Sequence, residues 1–143
     1  MLISTKGRYA LRVMVDLAEH QGEGFIPLKT IAQRQEISEK YLEAIIKLLV
    51  KAKLLTGLRG KGGGYQMTKA PEQYTVGEIL RLTEESLAPV SCVETGASVC
   101  PRAVECRTLP VWQGLDRVIS EYLDGITVAD LMQRGDAGND YVI

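Results

Sequence analysis

Leu28-Lys-Thr-Ile-Ala-Gln-Arg-Gln35, then Glu36-Ile37, then Ser38-Glu-Lys-Tyr-Leu-Glu-Ala-Ile-Ile-Lys-Leu-Leu-Val-Lys51, precede a glycine-rich run, Arg59-Gly-Lys-Gly-Gly-Gly-Tyr65. Leu28, Ile31 and Ala32 fall at i, i+3 and i+4, so a first helix turns one apolar face inward over residues 28–35. Glu36 and Ile37 make a turn, and Ser38 is the N-cap of a second helix whose buried stripe is Leu42, Ile45, Ile46 and Leu49. Its outer face carries Lys40, Glu43, Lys47 and Lys51. Two short helices joined by a tight turn, the second with a polar and partly basic outer face, are the pattern that lays a recognition helix in a DNA major groove. Leu54–Leu58 and Tyr65–Thr68 then read as strands joined by the glycine-rich turn, a wing. The fold class expected is mainly α: a winged helix-turn-helix with a small β wing.

Working outward, 143 residues are enough to bury roughly two thirds of the unfolded surface, so neither disulfide nor metal is needed for folding. One compact domain with an extension is expected. No apolar run approaches the roughly 20 residues that span a bilayer, and residues 1–12 lack the apolar core of a secretion signal. No membrane partner and a cytoplasmic location, with reduced thiols, are the corresponding expectations. The net charge of −1 conceals a division: residues 1–70 hold twelve Lys or Arg against six Asp or Glu, and residues 71–143 hold five against twelve. A basic half can neutralise phosphates, whereas the acidic half should face away from a duplex. A chance dipole would look the same.

A first helix is expected from Thr5 to about Gln21, buried through Ala10, Leu11, Met14, Leu17 and Ala18. Lys6, Arg8 and Arg12 near its start oppose the helix dipole, which an external phosphate would relieve; solvated side chains are the alternative. His20 sits in the last turn, where it reads as a capping partner. Phe25 and Ile26 are expected to pair with the wing. No enzyme motif stands out: Gly60-Lys61-Gly62 fails as a phosphate-binding loop because Leu55 and Gly62 stand where Gly and Ser or Thr are required. The wing glycines permit positive φ and close approach, and Arg59 among them suits a narrow minor groove.

Lys6-Gly-Arg-Tyr-Ala10, Ile37-Ser38, Tyr41-Leu42-Glu43 and Arg59-Gly60-x-Gly-Gly-Gly-Tyr65 together resemble the IscR-type iron-sulfur cluster regulators, a winged-helix family that includes NsrR and CymR. The likeness runs from the start to about Leu131. It implies a homodimer that represses or activates transcription from a double-stranded DNA operator. Carried across by position, Ser38, Lys40, Tyr41 and Glu43 would meet the major groove, and Arg59, with Gly60 and Lys61 beside it, the minor groove. A carboxylate at Glu43 can accept from cytosine N4 yet repels phosphate, so it would select among operators. Its plainer role is an i, i+4 partner of Lys47.

After the wing, Thr75-x-x-Glu78 reads as a capping box opening a helix through Val76, Ile79, Leu80 and Thr83. Periodicity then stops, and Cys92, Cys100 and Cys106 gather in one loop. Zinc would want a fourth Cys or His, whereas crowded thiolates suit an iron-sulfur cluster; inert thiols or thiol-based sensing are the alternatives. The resemblance implies a cluster on these three cysteines, [2Fe-2S] before [4Fe-4S], with iron-sulfur assembly proteins as further partners. Leu109 stands where IscR has a histidine ligand, and Arg8 where NsrR-like proteins offer an aspartate. The fourth ligand is thus open: Glu94, Glu105, an external thiol or water.

Trp112, Leu115, Ile119, Tyr122 and Leu123 mark an apolar stripe ending at Gly125. The resemblance makes this a long C-terminal dimerisation helix burying Trp112, Val118 and Tyr122 between subunits, against an ordinary core helix. Thr127-x-x-Asp130 caps a last short helix. The division expected is 1–85 for DNA binding, 86–108 for the cysteine loop, 109–134 for dimerisation and 135–143 for a flexible tail. The function expected is cluster-sensing regulation. Its rivals are a thiol- or partner-regulated repressor without a cluster and, from another class, a small iron-sulfur redox protein.

Overall fold

The computed structural model describes residues 2–132, so the expected tail over 135–143 lies outside the described residues. Helix α1 (Thr5–Glu19) opens where the Ser4 hydroxyl accepts from the Gly7 N–H. It buries Ala10, Val13, Met14, Leu17 and Ala18 at the centre of the molecule. It stops short of Gln21 because residues 21–23 tighten into a 3-10 turn. His20 is its C-cap as expected, with Nδ1 2.7 Å from the Asp16 carbonyl oxygen.

Helix α2 (Leu28–Gln35) follows Pro27, and α3 (Glu39–Lys51) is capped by Ser38, whose Oγ accepts from the Tyr41 N–H at 3.2 Å. The intervening turn depends on Glu36, a non-glycine residue at φ 55°, and drops Ile37 into the core at 6% exposure. Ile37 is therefore an anchor as well as a turn residue. The stripe Leu42, Ile45, Ile46 and Leu49 is buried as read, each such side chain worth about 1.5–3 kcal/mol.

Strands β1 (Leu55–Leu58) and β2 (Gly64–Met67) pair antiparallel, Leu55 opposite Met67 and Leu58 opposite Gly64. Ile26 adds an isolated bridge on the other side of β2 by exchanging both backbone hydrogen bonds with Tyr65, at 2.8 and 2.9 Å. Tyr74, fully buried, staples the base of the wing: its hydroxyl donates to the Leu54 carbonyl at 2.8 Å and accepts from the N–H groups of Thr68 and Lys69.

Helix α4 (Val76–Thr83) begins at Thr75, whose side chain accepts from the Glu78 N–H. The expected capping box forms only this half; the Glu78 carboxylate lies 3.9 Å from Lys69 Nζ instead. After the cysteine loop come α5 (Leu109–Asp124) and α6 (Val128–Leu131), the latter opened by a complete box between Thr127 and Asp130. A bridge between Thr75 and Thr127 brings the chain back to the core, where Val128 is fully buried.

The apolar face of α5 divides differently from the stripe read in the sequence. Val111, Leu115, Val118 and Tyr122 form one outward row, exposed by 58, 41, 59 and 67%. Trp112, Ile119 and Leu123 are half-buried, and Leu123 packs on the cluster of Val76, Leu80 and Leu87. No residue of α5 is fully buried.

Candidate DNA-binding face and cysteine hollow

Lys40 and Glu43 project from the outer face of α3, and Glu43 Oε1 lies 3.5 Å from Lys47 Nζ with both side chains more than half exposed. The i, i+4 pair thus forms and leaves both groups open to solvent. Ser38 and Tyr41 have work inside the fold as well. Tyr41 is half-buried with its ring edge-on to Tyr9, centroids 5.8 Å apart, while the Arg12 guanidinium lies 4.9 Å over the Tyr9 ring. Arg12 also donates to the Gln35 side chain and backbone carbonyl, Arg8 donates to Thr5 Oγ1, and Lys6 faces Glu84. The basic cluster at the start of α1 is therefore met largely by internal partners.

Sequence reading missed the group that holds α2 in place. Asp16 is buried on α1 and accepts from Arg34 Nε and Nη2 at 3.0 and 2.6 Å and from Gln35 Nε2 at 2.9 Å. Hydrogen bonding to Asp16 outweighs burial and pushes the Arg34 guanidinium pKa above its ordinary value. Only an Asp three residues after Val13 on the inner face of α1 could have signalled this.

The wing tip exposes Arg59, Gly60 and Lys61. Gly60 and Gly62 take φ of 91° and 80°, and the Gly63 N–H donates to the Gly60 carbonyl at 2.9 Å. At φ 151°, Gly64 lies so close to the Ile26 carbonyl that a Cβ there would collide with it. Between α3 and the wing is a hollow of about 560 Å³, lined by Glu43, Lys47, Lys51 and Arg59 over an apolar floor that includes Ile46 and Tyr65. Lys47 and Lys51 thus join the wing arginine, a meeting that helical spacing alone cannot reveal.

Residues 86–108 hold themselves by short turns. Val93 bonds to Val90, Glu94 to Ser91, Ala97 to Glu94, Ala103 to Cys100 and Cys106 to Ala103 through the backbone. Cys92 and Cys100 are exposed and Cys106 is half-buried, all as free thiols. All three line one hollow of about 470 Å³ together with Glu94, Leu109, Gln113 and Asp116. Hydrogen bonding from Thr108 Oγ1 and from the N–H groups of Thr108 and Leu109 holds the Cys106 thiol below its usual pKa. Three thiols facing one hollow, one already acidified, suit a soft iron-sulfur group as a donor set. Among the described residues no three Cys, His, Asp or Glu groups stand close enough to hold a metal ion, so the set is not preassembled. Glu94 lines the hollow, Glu105 does not, and Asp116 is a carboxylate the sequence reading overlooked.

Two links join this region to the helix-turn-helix. Glu84, at the end of α4, accepts from the Ser4 N–H and Oγ, both at 2.6 Å, and so ties the start of α1 to the entrance of the loop. Arg81 of α4 forks onto Asp124 of α5 at 2.6 and 3.0 Å. That hydrogen bond chiefly raises the Arg81 pKa and lowers that of Asp124. No helix among the described residues is long and apolar enough to cross a membrane.

Residues 3–134 match the family model of Rrf2, described as an iron-dependent transcriptional regulator. The chain is 39% identical over 132 residues to the HTH-type transcriptional regulator IscR of Aliivibrio salmonicida, covering 92% of this chain and 77% of that one. It is 40% identical over 133 residues to the protein Rrf2 of Nitratidesulfovibrio vulgaris, covering 93% and 88%. Among solved structures, T. potens IscR superposes with a TM-score of 0.74 at 38% identity, covering all of this chain and 93% of the other. CymR, the global cysteine regulator of B. subtilis, gives 0.76 at 36% identity, covering 92% and 95%. These relatives are transcriptional regulators rather than enzymes, and the winged-helix architecture is theirs.

Proposed function

This chain belongs to the Rrf2 family of iron-dependent transcriptional regulators, and from that premise we propose a homodimeric, sequence-specific regulator whose three-cysteine loop senses iron-sulfur status, oxidants or nitric oxide. DNA-binding regulation follows from the family; the cluster, the dimer and the residue roles are our reading. The observation that carries it is the pairing of a basic, wing-flanked recognition helix with three thiols on a single hollow in the acidic half. Residues 1–85 would bind DNA, 86–108 the cluster and 109–134 the second copy.

On the DNA side, α3 presents Lys40 and Glu43 to the major groove, supported there by Ser38 and Tyr41, and the wing offers Arg59, Gly60 and Lys61 to the minor groove. On the sensing side, Cys92, Cys100 and Cys106 hold a [2Fe-2S] cluster, with [4Fe-4S] the alternative. When bound, such a cluster supplies a centre whose presence or oxidation state answers to iron, oxygen or nitric oxide. Loop closure onto α5 is passed on by Arg81 to α4 and by Glu84 to the start of α1. Control then requires that the loaded loop favour one arrangement of the two DNA-binding domains over another.

Anaerobic purification, a visible spectrum and counts of iron and acid-labile sulfide test the sensing half. Matching iron and sulfide are expected; a colourless protein that also fails reconstitution would move sensing to the thiols. That second reading is favoured by the lowered pKa of Cys106 and by the likeness to CymR. On selected operators, Lys40→Ala and Lys61→Ala should each reduce the salt slope by about 1, and an unchanged slope rejects the phosphate contact. Arg59→Ala should abolish operator selection with the iron content intact.

A further inference from the structure

We propose that Asp116 supplies the fourth ligand of the three-cysteine centre through a carboxylate oxygen. The inference deepens the cluster reading above and rests on it. Leu109, Gln113 and Asp116 follow one another at i, i+4 and i+7, so they share one face of α5, and all three line the hollow of Cys92, Cys100 and Cys106. Leu109 has no donor atom and Gln113 offers a neutral amide. Asp116 is the first group down this face with an anionic oxygen, and iron in such centres accepts one non-cysteine ligand.

The surroundings of Asp116 favour it over the other carboxylate in the hollow. Asp116 is half-buried, and its side chain makes no hydrogen bond among the described residues. Its electrostatic neighbour Arg81 is already forked onto Asp124, so that cation offsets the charge without consuming the carboxylate. Glu94 is exposed, has one more rotatable bond to order, and stands at the end of a short turn beside Cys92. Asp116 instead stands on a 16-residue helix, and the turn carrying Cys92 packs against that helix. A ligand on α5 also gives the loop a fixed point to close upon.

The test is anaerobic reconstitution of the full chain and of Asp116→Ala, Asp116→His and Glu94→Ala with ferrous iron and sulfide. Iron content, visible spectrum, chelator-driven loss rate and electron paramagnetic resonance of the reduced centre are read for each. The full chain and Glu94→Ala should behave alike, and Asp116→Ala should lose its iron to chelator about tenfold faster or more, with a shifted spectrum. Asp116→His, which restores a ligand and so separates ligation from folding, should regain stability and show nitrogen hyperfine coupling. An Asp116→Ala protein with unchanged spectrum and loss rate, or the loss appearing in Glu94→Ala instead, overturns the assignment. A full chain that takes up no cluster overturns the sensing reading itself, an outcome distinct from a loaded chain indifferent to Asp116.

Discussion

Glu84 caps the end of α4, and its carboxylate gathers the Ser4 N–H, Ser4 Oγ and Thr83 Oγ1 within 2.8 Å. A Cβ at Gly7 opposite would sit 2.7 Å from Glu84 Oε2, so a larger residue there would require the carboxylate to shift. Burial acts to raise the Glu84 pKa, but these hydrogen bonds and Lys6 outweigh it and hold the carboxyl below its ordinary 4.5. A depressed carboxylate stabilises the fold above its unfolded pKa, and the contribution is lost as pH falls through the folded value. Urea unfolding across roughly pH 6 to 3 should therefore show a shallower acid limb in Glu84→Gln than in the parent. Parallel limbs would mean that Glu84 carries no linkage. Neither Glu84 nor Asp16 was legible beforehand, since each finds partners far along the chain, and spacing informs only about neighbours on one element.

Helices and strands were the legible level wherever a local period decides them. Leu42, Ile45, Ile46 and Leu49 announce the inward face of α3, and glycines 60, 62 and 64 announce the wing, because turns of positive φ admit few other residues. Gly64→Ala is expected to destabilise the protein by about 1–3 kcal/mol from backbone strain, with the Ile26 clash adding to it. Gly22→Ala, with open space around it, serves as the near-neutral control in denaturant titration. Equal midpoints would refute the close-approach argument. For α5 the period was visible but not its phase: apolar residues lie on two rows, and only the fold reveals which row its own domain takes. The cysteine loop, built of successive turns, has no period from which its shape could be read.

For the molecule as a whole, the outward row Val111, Leu115, Val118 and Tyr122 is the surface that the proposed second copy would cover, and the basic half of the sequence is the one the proposed DNA contact uses. Val118→Asp should yield a monomer by sedimentation with unchanged helix content and much weaker binding to a palindromic operator. A dimer of unaltered strength would place the subunit contact elsewhere. The charge division was readable from composition, whereas the path of the chain between Thr75 and Thr127 was not, because that pairing joins positions separated by the whole cysteine loop. The two threonines close that path at its foot: the Val76 N–H donates to the Ile126 carbonyl and the Val128 N–H to the Tyr74 carbonyl, at 2.8 and 2.9 Å. A protease that cuts between Ser98 and Val99 should therefore leave two fragments travelling together on a sizing column, knitted by α4, α5 and the buried Val128. The polypeptide could be severed within its cysteine loop without coming apart.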